Sequence, residues 1–121
     1  MGNYEQIVKL MIDADSAATD RNVDRYLELF TDDATIYGEV GHSDDSENLR
    51  AFINATWQNE PKGTVHICAN PLVDEISGDE ATARSVLVLI NRHSNSFQVF
   101  QVSHKLIKGG ERWQFTSREI M

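Results

Sequence analysis

The sequence predicts an α+β fold, with helices first and a curved antiparallel sheet wrapped around them. Two patterns carry that expectation. As far as Trp57, apolar residues recur at i, i+3, i+4 and i+7, which is one face of a helix. From Thr64 onward, four runs rich in β-branched and aromatic residues are divided by turn signals. A length of 121 residues suits one domain, so residues 1–121 are expected to share one core.

Asn3 is placed to cap the first helix, with Gln6 three residues on as its capping-box partner. Ile7, Leu10, Met11, Ala14, Ala17 and Ala18 then mark its buried face. A second helix starts at Asn22 and turns Val23, Tyr26, Leu27 and Phe30 inward. Asp32 and Asp33 follow, in the expected turn before a short strand Thr35–Val40. Asp is favoured there because its side chain bonds nearby backbone N–H groups, so the pair reads as punctuation rather than chemistry. A third helix is expected after Asp44, with Glu47 as its capping partner. Its inner face would be Leu49, Phe52, Ile53 and Trp57, closed by Pro61 and Gly63.

The strands are TVHICANPLVDEI, ATARSVLVLINRH, SFQVFQVSHKLIK and RWQFTSREI, separated at Ser77–Gly78–Asp79, Ser94–Asn95 and Gly109–Gly110. Three of them are longer than usual, and strands of that length curl. Pro71 cannot donate to a ladder and predicts a bulge or an edge in the first long strand.

Charge excludes some partners. The formal net charge is −8, and the stretch from Asp13 to Glu47 holds eleven acids against Arg21 and Arg25. A chain this acidic repels phosphate backbones, which argues against nucleic acid. The longest apolar run, VLVLI, is far too short to span a membrane, and the start MGNYEQIVKL lacks a signal-peptide pattern. A single cysteine, Cys68, excludes an internal disulfide and suggests the cytoplasm. No H-x-H, H-x-x-x-H or Cys/His cluster is present, so no metal is expected at His42, His93 or His104.

The segment ATDRNVDRYLELFTDDATIY, together with GDEATARS and the terminal W-x-F-x-x-R, resembles the SnoaL-like proteins of the nuclear-transport-factor-2-like superfamily. The resemblance spans nearly the whole chain. It implies a cone: a bent sheet of cystatin-like α+β barrel type, enclosing an apolar cavity closed on one side by helices. It also implies a homodimer formed through the sheet. Members include dehydratases, dehydrochlorinases, ketosteroid isomerases, cyclases and pure binding modules, so fold alone does not choose a function.

Particular positions narrow the choice. Ketosteroid isomerases place an Asp base where this chain has Gly38, and a tyrosine near Ala14; both are missing, so that chemistry is set aside. The scytalone-dehydratase and dehydrochlorinase branch uses a His on the first long strand with an Asp at the end of the first helix. This chain matches with His66 and Asp20, and Arg118 matches an arginine of the last strand that stabilises developing negative charge. Those relatives also carry Tyr or Lys where Asp15 stands here, and the second His of the scytalone type has only His93, near its strand end, as a counterpart.

The expected function is a cofactor-free lyase or isomerase acting on a small apolar molecule. His66 would be its general acid/base, Asp20 its orienting carboxylate and Arg118 a charge stabiliser. Tyr26 and Tyr37 would supply hydroxyls, Asn70 a polar ligand contact, and Trp57 and Trp113 core or pocket wall. The competing expectation is a non-catalytic ligand-binding or dimerisation module. Cys68 shares the His66 face of the strand but is expected to be a small buried residue rather than a nucleophile.

Overall fold

The computed structural model describes residues 1–38, 41–43 and 48–121. Helix α1 runs Asn3–Thr19 and buries Ile7, Met11, Ala14, Asp15, Ala17 and Ala18 along one stripe. Its N-cap is Gly2 and not Asn3. Asn3 lies inside the first turn, where its side-chain oxygen accepts from Lys108 and Trp113, which explains why it cannot also cap. Helix α2, Val23–Leu27, is a little over one turn long, and Asn22 caps it by accepting the Arg25 N–H. Helix α3 is Leu49–Gln58, capped by Asn48 through the Ala51 N–H. The expected cap at Asp44 and Glu47 lies outside the described residues.

Six strands form one sheet: β1 (Phe30–Gly38), β2 (Gly41–His42), β3 (Val65–Ser77), β4 (Glu80–Asn91), β5 (Ser96–Gly109) and β6 (Arg112–Ile120). Their order is β2-β1-β6-β5-β4-β3, and the sheet is curved and unclosed, so it is not a barrel. Nor is it purely antiparallel, because β1 runs parallel to β6. Strand β1 starts five residues earlier than expected, taking in Asp32 and Asp33. The ladder with β6 breaks between Phe30 and Thr35, so both aspartates occupy an irregular, exposed stretch where a polar residue costs little.

Bulges decide which side chains face inward. In β3 the register shifts between Ala69 and Leu72, at Asn70 (φ 48°) and Pro71, on a strand that is also a sheet edge. In β6, Leu106 pairs with Phe115 and Lys105 with Ser117, leaving Thr116 as an extra residue. That one-residue insertion reverses the alternation. Trp113 and Phe115 face inward before it, and Arg118 faces inward after it.

The aromatic core fills one end of the concave face. Phe30 and Phe115 meet tilted by 44°, at 5.1 Å between centroids, in one cluster with Ile7 and Met11. Among the described residues no helix is long and apolar enough to cross a membrane.

Candidate functional site

The other end of the concave face is hollow. Leu87 and Leu89 of β4, Phe100 of β5 and Ile120 of β6 form its floor, and Phe52, Ile53 and Trp57 of α3 cover it. The cavity measures about 620 Å³, within the range of small-molecule sites. Its wall is mostly apolar, and two polar groups interrupt it.

The first is built around His66. Strand β3 is an edge, and the end of α1 covers it at this point. The Thr19 hydroxyl accepts the His66 N–H at 2.8 Å and lies 3.1 Å from the His66 carbonyl. The imidazole Nε2 meets Glu60 Oε1 at 2.9 Å, and the same oxygen meets the Arg21 guanidinium at 2.8 Å. A carboxylate only accepts, so the neutral ring donates from Nε2 and keeps its lone pair on Nδ1. Glu60 is carried by the turn after α3. Buried Asn91 anchors that turn by donating to the Lys62 carbonyl and Thr64 hydroxyl, both at 3.0 Å.

The second group is buried. Arg118 donates to the Tyr26 hydroxyl at 2.8 Å and to Asp15 Oδ1 at 3.2 Å. Its guanidinium also lies 5.9 Å from the Tyr26 ring and 5.7 Å from the Phe115 ring. Burial opposes the Arg118 charge, but Tyr26 and Asp15 more than offset it and hold its pKa above the ordinary arginine value. Burial raises the Tyr26 pKa above 10.0 even though Arg118 pulls the other way. The phenol therefore stays protonated. Its oxygen accepts from Arg118, which leaves the O–H to donate elsewhere.

Behind this group lies a buried pair outside the cavity wall. The Ser85 hydroxyl and His104 Nε2 are 2.9 Å apart. Burial, with Arg118 nearby, drives the His104 pKa down to about 2, so this imidazole is neutral. Cys68 is half-buried rather than buried, and desolvation, and next Asp15, push its thiol up to about 11, which makes it a poor nucleophile.

Of the residues expected at the site, the structure brings His66, Arg118, Tyr26 and Trp57 to one cavity. The others lie elsewhere. Asp20 is the C-cap of α1, 63% exposed, with its carboxylate 3.4 Å from Arg25, so it does not orient His66. Glu60 takes that place. Trp113 is buried beneath α1 with its indole N–H on Asn3, and so forms core rather than pocket wall. Asn70 is exposed at the β3 bulge, where the shifted register turns it away from the His66 face. Tyr37 packs its ring against His42 at 5.2 Å and is not part of the lining.

Glu60 is absent from the sequence expectations and Asp15 enters them only as a departure from the dehydratase pattern, though each leaves a trace in the sequence. Glu60 stands just past a helix C-terminus, where a negative charge is unfavourable unless a cation or donor meets it. Asp15 falls on the apolar stripe of α1, four residues after Met11, where a charge requires a buried partner.

The SnoaL-like domain family matches residues 3–119 of the chain. The chain belongs to the SnoaL-like family. Among solved structures, the SnoaL-like protein is similar to a Nostoc punctiforme PCC 73102 protein of unknown function with a cystatin-like fold. The two share 25% identity and a TM-score of 0.84, over 96% of this chain and 87% of that one. It is also similar to a provisionally named scytalone dehydratase from Novosphingobium aromaticivorans DSM 12444, at 22% identity and a TM-score of 0.75, over 96% and 80% of the two chains. A provisionally named aromatic ring hydroxylase from the same species gives 18% identity and a TM-score of 0.75, over 96% and 85%. No curated protein matches the sequence. These likenesses give the SnoaL-like protein a cystatin-like, nuclear-transport-factor-2-like fold, with the open sheet described above.

Proposed function

We propose that this SnoaL-like protein is a cofactor-free lyase or isomerase that takes a compact, largely apolar molecule carrying a carbonyl or hydroxyl. One observation carries the reading: an imidazole backed by a carboxylate and a protonated phenol backed by a guanidinium both line the same apolar cavity. His66 acts as general base through Nδ1, and Glu60, in place of Asp20, fixes the tautomer and stabilises the imidazolium that forms. Tyr26, polarised by Arg118, donates to the oxygen on which negative charge develops.

Proton abstraction next to a carbonyl leaves a signature that needs no knowledge of the natural substrate. Ring ketones incubated with the protein in D2O exchange their α-hydrogens, as followed by proton NMR. His66→Gln lowers the exchange rate about 100-fold or more, and Tyr26→Phe lowers it about tenfold. Exchange that proceeds unchanged in both variants would sink the mechanism and leave ligand binding without chemistry.

The partner surface is a separate element of the reading. On the convex face, Val65 and Ile67 of β3 lie in rows with Phe97 and Val99 of β5, and these two are 66% and 54% exposed. An apolar sheet face of this kind is covered in solution by a second copy of the chain. Light scattering on the purified protein gives a dimer mass, and Phe97→Glu gives a folded monomer. A wild-type monomer at micromolar concentration rejects the dimer.

A further inference from the structure

The charges around the cavity cancel in pairs, and that cancellation limits what the cavity can hold. Three ionic side chains line it among the described residues: Asp15, Glu60 and Arg118. Arg118 already bonds Asp15 Oδ1, and Glu60 already bonds Arg21. The other basic side chains of the lining are the imidazoles His42 and His66, and His66 is engaged by Glu60. The residues outside the described set are Glu39, Val40, Asp44, Asp45, Ser46 and Glu47, none of which could supply a cation. An anion placed in an apolar cavity needs a counter-charge, and no fixed cation is left over to provide one.

The Asp15–Arg118 pair is also poorly built as a stabilising device. Asp15 Oδ2 and Arg118 Nε are both buried without a hydrogen-bond partner among the described residues. The Cys68 thiol lies near Asp15 but makes no bond of ordinary geometry to it. A buried ion pair with unmet groups on both sides adds little to stability, which favours a role in the site over a role in the core.

We propose that Asp15 is the specificity-determining residue of the cavity: by neutralising Arg118 it makes the site a receptor for uncharged oxygen-bearing ring molecules and excludes the corresponding carboxylates. This rests on the ligand-binding part of the reading above, and it narrows the ligand class. The ligand's oxygen accepts from the Tyr26 hydroxyl, its ring contacts Leu87, Leu89 and Phe100, and its net charge is zero. Without Asp15, the same Arg118 would become an anion site.

Calorimetric titration of the full chain with matched pairs tests this. Three ring skeletons are each used as a methyl ketone and as a carboxylate: cyclohexyl methyl ketone against cyclohexanecarboxylate, acetophenone against benzoate, and 2-acetonaphthone against 2-naphthoate. The ketone of at least one pair binds, and binds at least about tenfold more tightly than its carboxylate. Asp15→Asn, which keeps the shape and removes the charge, strengthens carboxylate binding about tenfold and moves ketone binding by less than about threefold. Should Asp15→Asn fail to fold, the double variant Asp15→Asn/Arg118→Gln, with neither charge, binds the ketone and still rejects the carboxylate. A wild type that takes the carboxylate as tightly as the ketone overturns the inference and leaves the proposed chemistry standing. So does a folded Asp15→Asn that gains nothing for the carboxylate, or a double variant that binds it. A wild type that binds no member of any pair overturns this inference and the ligand-binding reading together. Ketone binding without α-hydrogen exchange removes only the enzyme.

Discussion

Replacing Asp15 with Ala is expected to lower the unfolding free energy by about 3–5 kcal/mol, the usual result of leaving one member of a buried ion pair uncompensated. Both side chains are nearly inaccessible, at 3% and 2%, so solvent does not screen the loss. Arg118 would keep its bond to Tyr26 but would carry a full charge between the Phe115 and Tyr26 rings. A domain of this kind has only about 5–15 kcal/mol of stability in total, so the midpoint in urea should fall sharply. The informative comparison is Asp15→Leu/Arg118→Met, which removes both charges and keeps the apolar volume. It should be close to wild type or more stable, because desolvating the pair cost about as much as their attraction returned. Urea denaturation of the three proteins decides the matter. Equal destabilisation in the single and double variants would mean that the pair holds the fold together in its own right.

The second expected result concerns acid. The folded protein keeps His104 neutral, with its pKa lowered from 6.5 to about 2, whereas the unfolded chain takes up a proton near 6.5. Between those values the unfolded state binds more protons. Stability therefore rises with pH, and it falls as pH drops below about 6.5. The slope approaches about 1.4 kcal/mol per pH unit well below pH 6.5, so His104 alone accounts for about 2 kcal/mol lost between pH 6.5 and pH 4.5. His104→Gln keeps a hydrogen-bonding group for Ser85 and cannot titrate. Its stability at neutral pH should be lower, since the site is close-packed against Phe115, but its decline over that window should be shallower. Parallel wild-type and His104→Gln curves of stability against pH would show that the imidazole protonates in the folded state after all.

Much of the fold was legible in the sequence because it is written in periodicity. The helical stripe from Ile7 to Ala18, the β-branched run in ATARSVLVLINRH and the turn signals at Gly78 and Gly110 each act locally, and each has its element in the structure. The parallel pairing of β1 with β6 was not legible, since nothing in FTDDATIY names its partner, and two exposed aspartates hid the first half of that strand. Simple alternation along RWQFTSREI would group Ser117, not Arg118, with Trp113 and Phe115. Only the bulge at Thr116 turns Arg118 inward, so its place in the site followed from family resemblance and not from pattern.

His66 was found the same way, but its carboxylate was not. The resemblance pointed to Asp20, at the end of α1, whereas the geometry required is met by Glu60, only six residues before the histidine. A proline and a glycine at 61 and 63 marked that segment as a helix stop. The stop residues are what turn Glu60 back toward the edge strand, so the feature that obscured the partner also positions it.

The final strand β6 occupies the middle of the sheet, between β1 and β5. A ribosome making this protein must therefore release the nine-residue strand Arg112–Ile120 before the β1–β2 pair can join the rest of the sheet. Until then the β3–β5 meander can assemble alone, with its future seam bare. A stop codon between Gly110 and Trp113 would cost both the closing seam and the guanidinium of Arg118.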